Sequence, residues 1–229
     1  MTSNLAEGAS IWHALQICRA IFLVLTVIGM VWISPYNRLP SRENAPLPLK
    51  SLGDRPILQL ELGRRDSDLA SILSVGNKPS VLREASRGNE IDTSFFIPAY
   101  AGLLICSGLL LASTDHRWRA VLAFTAVAIV PIAAVCDWVE NAGISKAIHH
   151  FETGNAAHPG DAMRISRPSQ VKWALLTLAL FVYGVAAVRQ LTRLHRINAE
   201  SICVAVGGIG LGLLLSLMLS RYWLEVRGS

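Results

Sequence analysis

Five apolar runs dominate the chain: Ala14–Ser34, Ser94–Ser113, Ala120–Glu140, Val171–Val188 and Ser201–Arg221. Each holds roughly 20 residues, the length a helix needs to cross a bilayer core of about 30 Å. One sizeable polar insertion, Pro35 to Ile91, separates the first two. Its opening, S-P-Y-N-R-L-P-S-R-E-N-A-P-L-P, reads as an extended linker. Leu47–Leu52 and Pro56–Leu62 flank the turn-like Gly53-Asp54-Arg55, and the partial alternation of I-L-Q-L-E-L predicts a hairpin. Asp66 is placed to cap a short helix with Leu69, Ile72 and Leu73 on one face. Pro79 can open another helix, with Val81, Leu82 and Ala85 together. The expected fold is an all-α transmembrane bundle of about five spans, with a small α/β extramembrane insertion between the first two. The expected organisation is residues 1–34 as N-terminus and first span, 35–92 as insertion, and 93–229 as a four-helix remainder.

Composition agrees with this pattern. Of 229 residues, 52% are hydrophobic, and the mean hydropathy is +0.42. The net charge of +5 is the Lys/Arg loading expected of membrane loops. No basic stripe interleaved with aromatics lies outside the spans, so nucleic acid is not an expected partner. Residues 1–13 carry no Lys or Arg. They therefore lack the basic start of a secretory signal, and Ala14–Ser34 reads as a retained span. Cys18, Cys106, Cys136 and Cys203 fall in or at the ends of spans and form no C-x-x-C pair. They read as small buried hydrophobes.

The candidate chemistry lies at the end of the third run, in A-A-V-C-D-W-V-E-N-A-G-I. Asp137, Glu140 and Asn141 stand at helical spacing i, i+3 and i+4, hence on one face. Acids at a helix C-terminus oppose the macrodipole, so stability alone does not favour them there. Antiparallel alternation of the spans brings Asp92, Asp137, Glu140, Asn141 and Lys172 to one side of the membrane, with the insertion and its Glu61. The opposite side holds Arg117, Arg119, Arg189, Arg193 and Arg196 in short connections. The positive-inside rule then puts the N-terminus inside and the acidic cluster outside. Pro98 and Pro131 are each expected to bend a span.

Two readings of the cluster compete at about even weight. In one, Lys172 pairs with Asp137 or Glu140 and Asn141 caps the helix, so the charges merely lock neighbouring helices. In the other, the cluster lies under the insertion and receives a lipid headgroup or small polar molecule. Asp137 and Glu140 then hold one proton between them as acid and base. Lys172 and Tyr100 orient an anionic or carbonyl group, and Glu61, Asp92 and Asn141 complete the ligand-binding set.

His149, His150, Glu152 and His158 are metal-ligand types, but H-x-x-x-H and H-E-x-x-H frames are absent. Neither a metal nor another cofactor is expected. No P-loop, dinucleotide or G-x-S-x-G motif is present. Gly208 and Gly212 form a G-x-x-x-G step that suits close helix packing and homo-oligomerisation. Charges at one end of the spans, rather than at mid-membrane, speak against transport.

Four spaced segments carry a family resemblance: L-Q-L-E-L-G, I-D-T-S-F-F-I-P-A-Y, C-D-W-V-E-N-A-G-I and Q-V-K-W-A-L-L. Together, across roughly Ile57–Leu180, they resemble a group of uncharacterised bacterial polytopic integral membrane proteins. That group carries similar L-E-L-A, L-D-x-x-F-x-P-x-Y, D-x-x-E-N and K-[FW] segments. Gly63 stands where the group more often has Ala, and the fifth span has no counterpart in the pattern. The resemblance supports the choice of residues and brings no reaction.

The expected function is thus a multi-pass protein of the inner (plasma) membrane that binds a lipid headgroup or small amphipathic ligand at its Asp/Glu/Lys cluster. A membrane-embedded acid–base enzyme and a structural subunit are the alternatives.

Overall fold

The computed structural model describes residues 2–34, 36, 61, 65–74, 79–153 and 159–194. Every regular element among them is helical. Helix α1 is Thr2–Ile33, α2 is Asp66–Ser74 and α3 is Pro79–Ile91. A π-helical turn, Asp92–Phe96, joins α3 to α4, Ile97–Thr114. After a tight turn, α5 (Arg119–Phe124) runs through a second π turn, Thr125–Ile129, into α6, Val130–Glu152. Helix α7 is Asp161–Leu194.

Four helical stretches are long and apolar enough to cross a membrane: Ser10–Ile33, Ala85–Thr114, Arg119–Glu152 and Asp161–Gln190. They match the first four apolar runs of the sequence, the first to within one residue. The fifth, Ser201–Arg221, lies outside the described residues, as do Gly208, Gly212 and most of the expected hairpin. Among the described residues of the insertion there is no strand: Glu61, in the strand-like L-E-L, is helical, and α2 and α3 are the insertion's other described elements.

The two π turns share a cause. Proline at position i has no N–H, and its ring collides with the carbonyl of residue i−4 in a regular helix. For Pro98 that residue is Ser94, and for Pro131 it is Val127. Both lie inside the π turns. Widening the turn ahead of each proline moves the offending carbonyl aside and keeps the helix going. Ile97 N–H then donates to Asp92 O, and Val130 N–H to Thr125 O, five residues back.

The described residues fall into two compact units. One takes those of Met1–Thr26, Ala99–Ala133 and Trp173–Trp223. There Ala112, Leu122, Tyr183 and Ala186 form a buried cluster, with Leu104, Leu111 and Trp118 packed on it. Tyr183 rests against Gly108 so closely that any larger residue would collide with its hydroxyl. Arg189 stacks over the Trp118 ring at 5.8 Å, covering that corner with a cation–π contact.

The other unit takes the described residues of Val27–Pro98 and Ala134–Lys172, and contains the polar cluster. Its core joins Leu69 and Leu73 of α2, Leu82 and Ala85 of α3, Ile144, Ala147 and Ile148 of α6, and Ala162 and Ile165 of α7. Ile144, Ala147, Ile148 and Phe151 recur at helical spacing, so this half of α6 is an amphipathic helix with Ser145, Lys146 and His149 exposed. The Asp66 carboxylate accepts from the backbone N–H groups of Gly160 at 2.9 Å and Ala162 at 3.0 Å, capping the start of α7. Gly143 lies against α7, where an added Cβ would come within 3.0 Å of Ile165 Cγ1. The absent side chain lets the two antiparallel helices approach closely.

Candidate functional site

The third span does not stop at Glu140. Helix α6 continues through Asn141 to Glu152, about three further turns. Asp137 and Glu140 are therefore interior helix residues, and the helix-end argument made for them from the sequence does not apply. What changes near Glu140 is the character of the exposed surface. Up to that point the chain presents Val127, Ile132, Val135, Trp138 and Val139 outward. Beyond it, Ser145, Lys146 and His149 are exposed. On α7 the order is reversed: Arg164 and Arg167 are exposed before Lys172, whereas Val171, Leu178 and Phe181 are exposed around and after it. A surface of that kind suits helices whose apolar part faces lipid. The cluster lies at the level where lipid-facing surface gives way to polar surface.

At that level Lys172 is the centre of charge. Its Nζ donates to Asp137 Oδ1 at 2.9 Å, lies 2.8 Å from Glu140 Oε2, and lies 3.7 Å from Glu61 Oε1. The lysine and Asp137 are buried, Glu140 is fully buried, and Glu61 is largely covered. One ammonium is thus set against three carboxylates drawn from α6 and the insertion. Glu140 Oε1 has no hydrogen-bond partner among the described residues. Ser169, one turn before Lys172 on α7, is also fully buried, and its hydroxyl has no partner among them either.

A second polar layer adjoins the first through Asn141. Its Nδ2 donates to Asp92 Oδ2 at 2.7 Å and to Thr93 Oγ1 at 3.1 Å. Thr93 Oγ1 donates in turn to Asn89 O at 2.7 Å. Asn89 reaches back across the interface, where its Nδ2 donates to Asn141 O at 2.8 Å and Ser145 Oγ at 2.7 Å. Trp138 Nε1 donates to Thr93 O at 3.0 Å. The π turn at Asp92–Phe96 thereby supplies an acceptor for a tryptophan at the lipid boundary, where such amphipathic rings are favoured. Trp32 stands edge-on to Phe95 of the same turn at 5.8 Å.

The structure therefore brings together Glu61, Asp137, Glu140 and Lys172, and links Asp92 to Asn141. Asn141 joins helices in mid-course and does not cap an end. Tyr100 belongs to the other compact unit. Sequence reasoning missed Asn89, Thr93, Ser145 and Ser169. Small polar residues are common on exposed helix faces, and only the packing of the helices buries Asn89 and Ser169 and half-buries Thr93, while Ser145 stays exposed. The spacing of Ile144, Ala147, Ile148 and Phe151 was the available signal, because it defines which face of α6 is covered.

Among the described residues no group of three His, Cys, Asp or Glu side chains is arranged to hold a metal ion. His150 instead meets Asp161, Nδ1 to Oδ2, at 3.3 Å near the start of α7. His158 lies outside the described residues. No protein-family model matches the chain, and no curated protein or solved structure does so.

Proposed function

We propose that this is a multi-pass protein of the inner (plasma) membrane that binds the polar head of a lipid or small amphipathic molecule. Glu61, Asp137, Glu140 and Lys172 form the recognition group, with Asp92 and Asn141 bracing it. The observation that carries the reading is Glu140. A carboxylate removed from water is costly unless its oxygens are matched. Here Oε2 is ion-paired to Lys172, and neither oxygen has a hydrogen-bond partner among the described residues. An entirely structural lock would be expected to satisfy both oxygens.

Acid–base catalysis by Asp137 and Glu140 has less support, since each already directs an oxygen at the Lys172 ammonium. Native mass spectrometry of the purified protein tests the binding reading. Wild type is expected to retain a lipid-sized adduct that Glu140→Gln loses. Identical adduct patterns in the two proteins would refute it.

A further inference from the structure

We infer that the turn between α4 and α5 binds the phosphodiester head of an anionic phospholipid, a contact independent of the cluster described above. The turn reads D-H-R-W-R, Asp115 to Arg119. His116, Arg117 and Arg119 are exposed, and the side chains of Arg117 and Arg119 meet no acid among the described residues. Asp115 is buried, and its Oδ1 accepts from the Arg117 backbone N–H at 3.1 Å. It is also the single acid in residues 99–133 and 173–194, so these segments expose charge of one sign. Arg189 of α7 stands over the Trp118 ring at 5.8 Å and adds a third guanidinium to the two that flank this tryptophan. The patch borders apolar surface on both sides. Val121, Phe124 and Val127 are exposed just after Arg119, and Phe181 and Val188 are exposed before Arg189. With that surface against lipid, the guanidinium groups stand at the level of the phosphates. Each offers paired N–H donors that fit two oxygens of one phosphate. Choline- and ethanolamine-headed lipids also carry a phosphate, but their own ammonium cancels its charge and is repelled by the arginines. A glycerol-headed lipid keeps the net negative charge that the patch complements.

The test titrates the purified full-length protein in detergent with phosphatidylglycerol, phosphatidylethanolamine and phosphatidylcholine of identical acyl chains. Binding is read by native mass spectrometry. Wild type is expected to bind phosphatidylglycerol about tenfold more tightly than the other two. Arg117→Gln combined with Arg119→Gln should abolish that preference and leave the unfolding temperature unchanged, since both side chains are exposed. Arg83→Gln combined with Lys146→Gln removes the same charge from exposed positions of the other compact unit and should leave the preference intact. If the double arginine variant does not fold, Arg117→Gln alone serves and is expected to reduce the preference about threefold. Millimolar inorganic phosphate is expected not to displace the lipid; displacement would make free phosphate the ligand and overturn the lipid assignment. Equal binding of all three lipids by wild type overturns the proposal. So does a preference that survives the loss of both arginines, or one that falls equally in the Arg83 and Lys146 control.

Discussion

Lys172 Nζ lies 2.8 Å from Glu140 Oε2, and neither residue has appreciable contact with solvent. The contact joins α6 to α7 at the level where both helices exchange a lipid-facing surface for a polar one. Desolvating two charges opposes folding, and their attraction offsets this only while both are present. Removing the lysine alone leaves Asp137 and Glu140 as buried carboxylates that have lost their shared cation. Lys172→Met is therefore expected to lower stability by about 3–5 kcal/mol. Thermal unfolding in detergent checks this; a change below about 1 kcal/mol would show the charges to be solvated.

The Asp66 carboxylate provides a separate prediction. It satisfies two backbone N–H groups at the start of α7 from a position far away in sequence. Asp66→Ala is expected to cost about 1 kcal/mol, within the range for lost N-caps. The exposed neighbour Ser67 is the control, and Ser67→Ala should stay within about 0.5 kcal/mol of wild type. Equal effects at the two positions, measured by unfolding, would contradict the cap.

Tyr183 and Gly108 make a prediction for the other compact unit. The Tyr183 hydroxyl is buried and has no hydrogen-bond partner among the described residues. Tyr183→Phe removes a polar group whose desolvation is uncompensated, so stability should be unchanged or slightly raised. Gly108→Ala pushes a methyl group into the tyrosine ring and Ala126, and should cost about 1–3 kcal/mol. Gly108→Ala should thus lower the unfolding temperature, whereas Tyr183→Phe should not.

Trp138 ties the lipid boundary to the π turn through its bond to Thr93 O. Trp138→Phe keeps an aromatic ring but removes the N–H and half of the bicycle, with an expected cost of at least about 0.5–1.5 kcal/mol from the lost hydrogen bond. A tryptophan fluorescence maximum that shifts little on unfolding would argue that this ring is not held at the boundary.

Much of this arrangement is legible before any coordinates. Lipid admits long apolar helices and few alternatives, so the first four spans stand out as runs. Alternating their direction correctly groups Asp137, Glu140 and Lys172, because short connections force neighbouring helices to run antiparallel. The helix ends were not legible. Asn141–Glu152 is polar in composition, and only its apolar spacing marks it as a continuation of α6 packed on α2, α3 and α7. Pro98 and Pro131 signal bends, yet whether a helix answers proline by kinking or by widening into a π turn depends on its neighbours. Asp66 caps a helix start far along the chain, a pairing that local capping rules cannot reach.

The most direct test of the account is a double-mutant cycle between Lys172 and Glu140, measured by unfolding of wild type, Lys172→Met, Glu140→Gln and the combined variant. The account predicts strong coupling of about 1–3 kcal/mol, with Glu140→Gln recovering part of what Lys172→Met loses. Additive effects, within about 0.3–0.5 kcal/mol, would mean that the two charges do not meet in a dry site, and the proposed recognition group would have no basis.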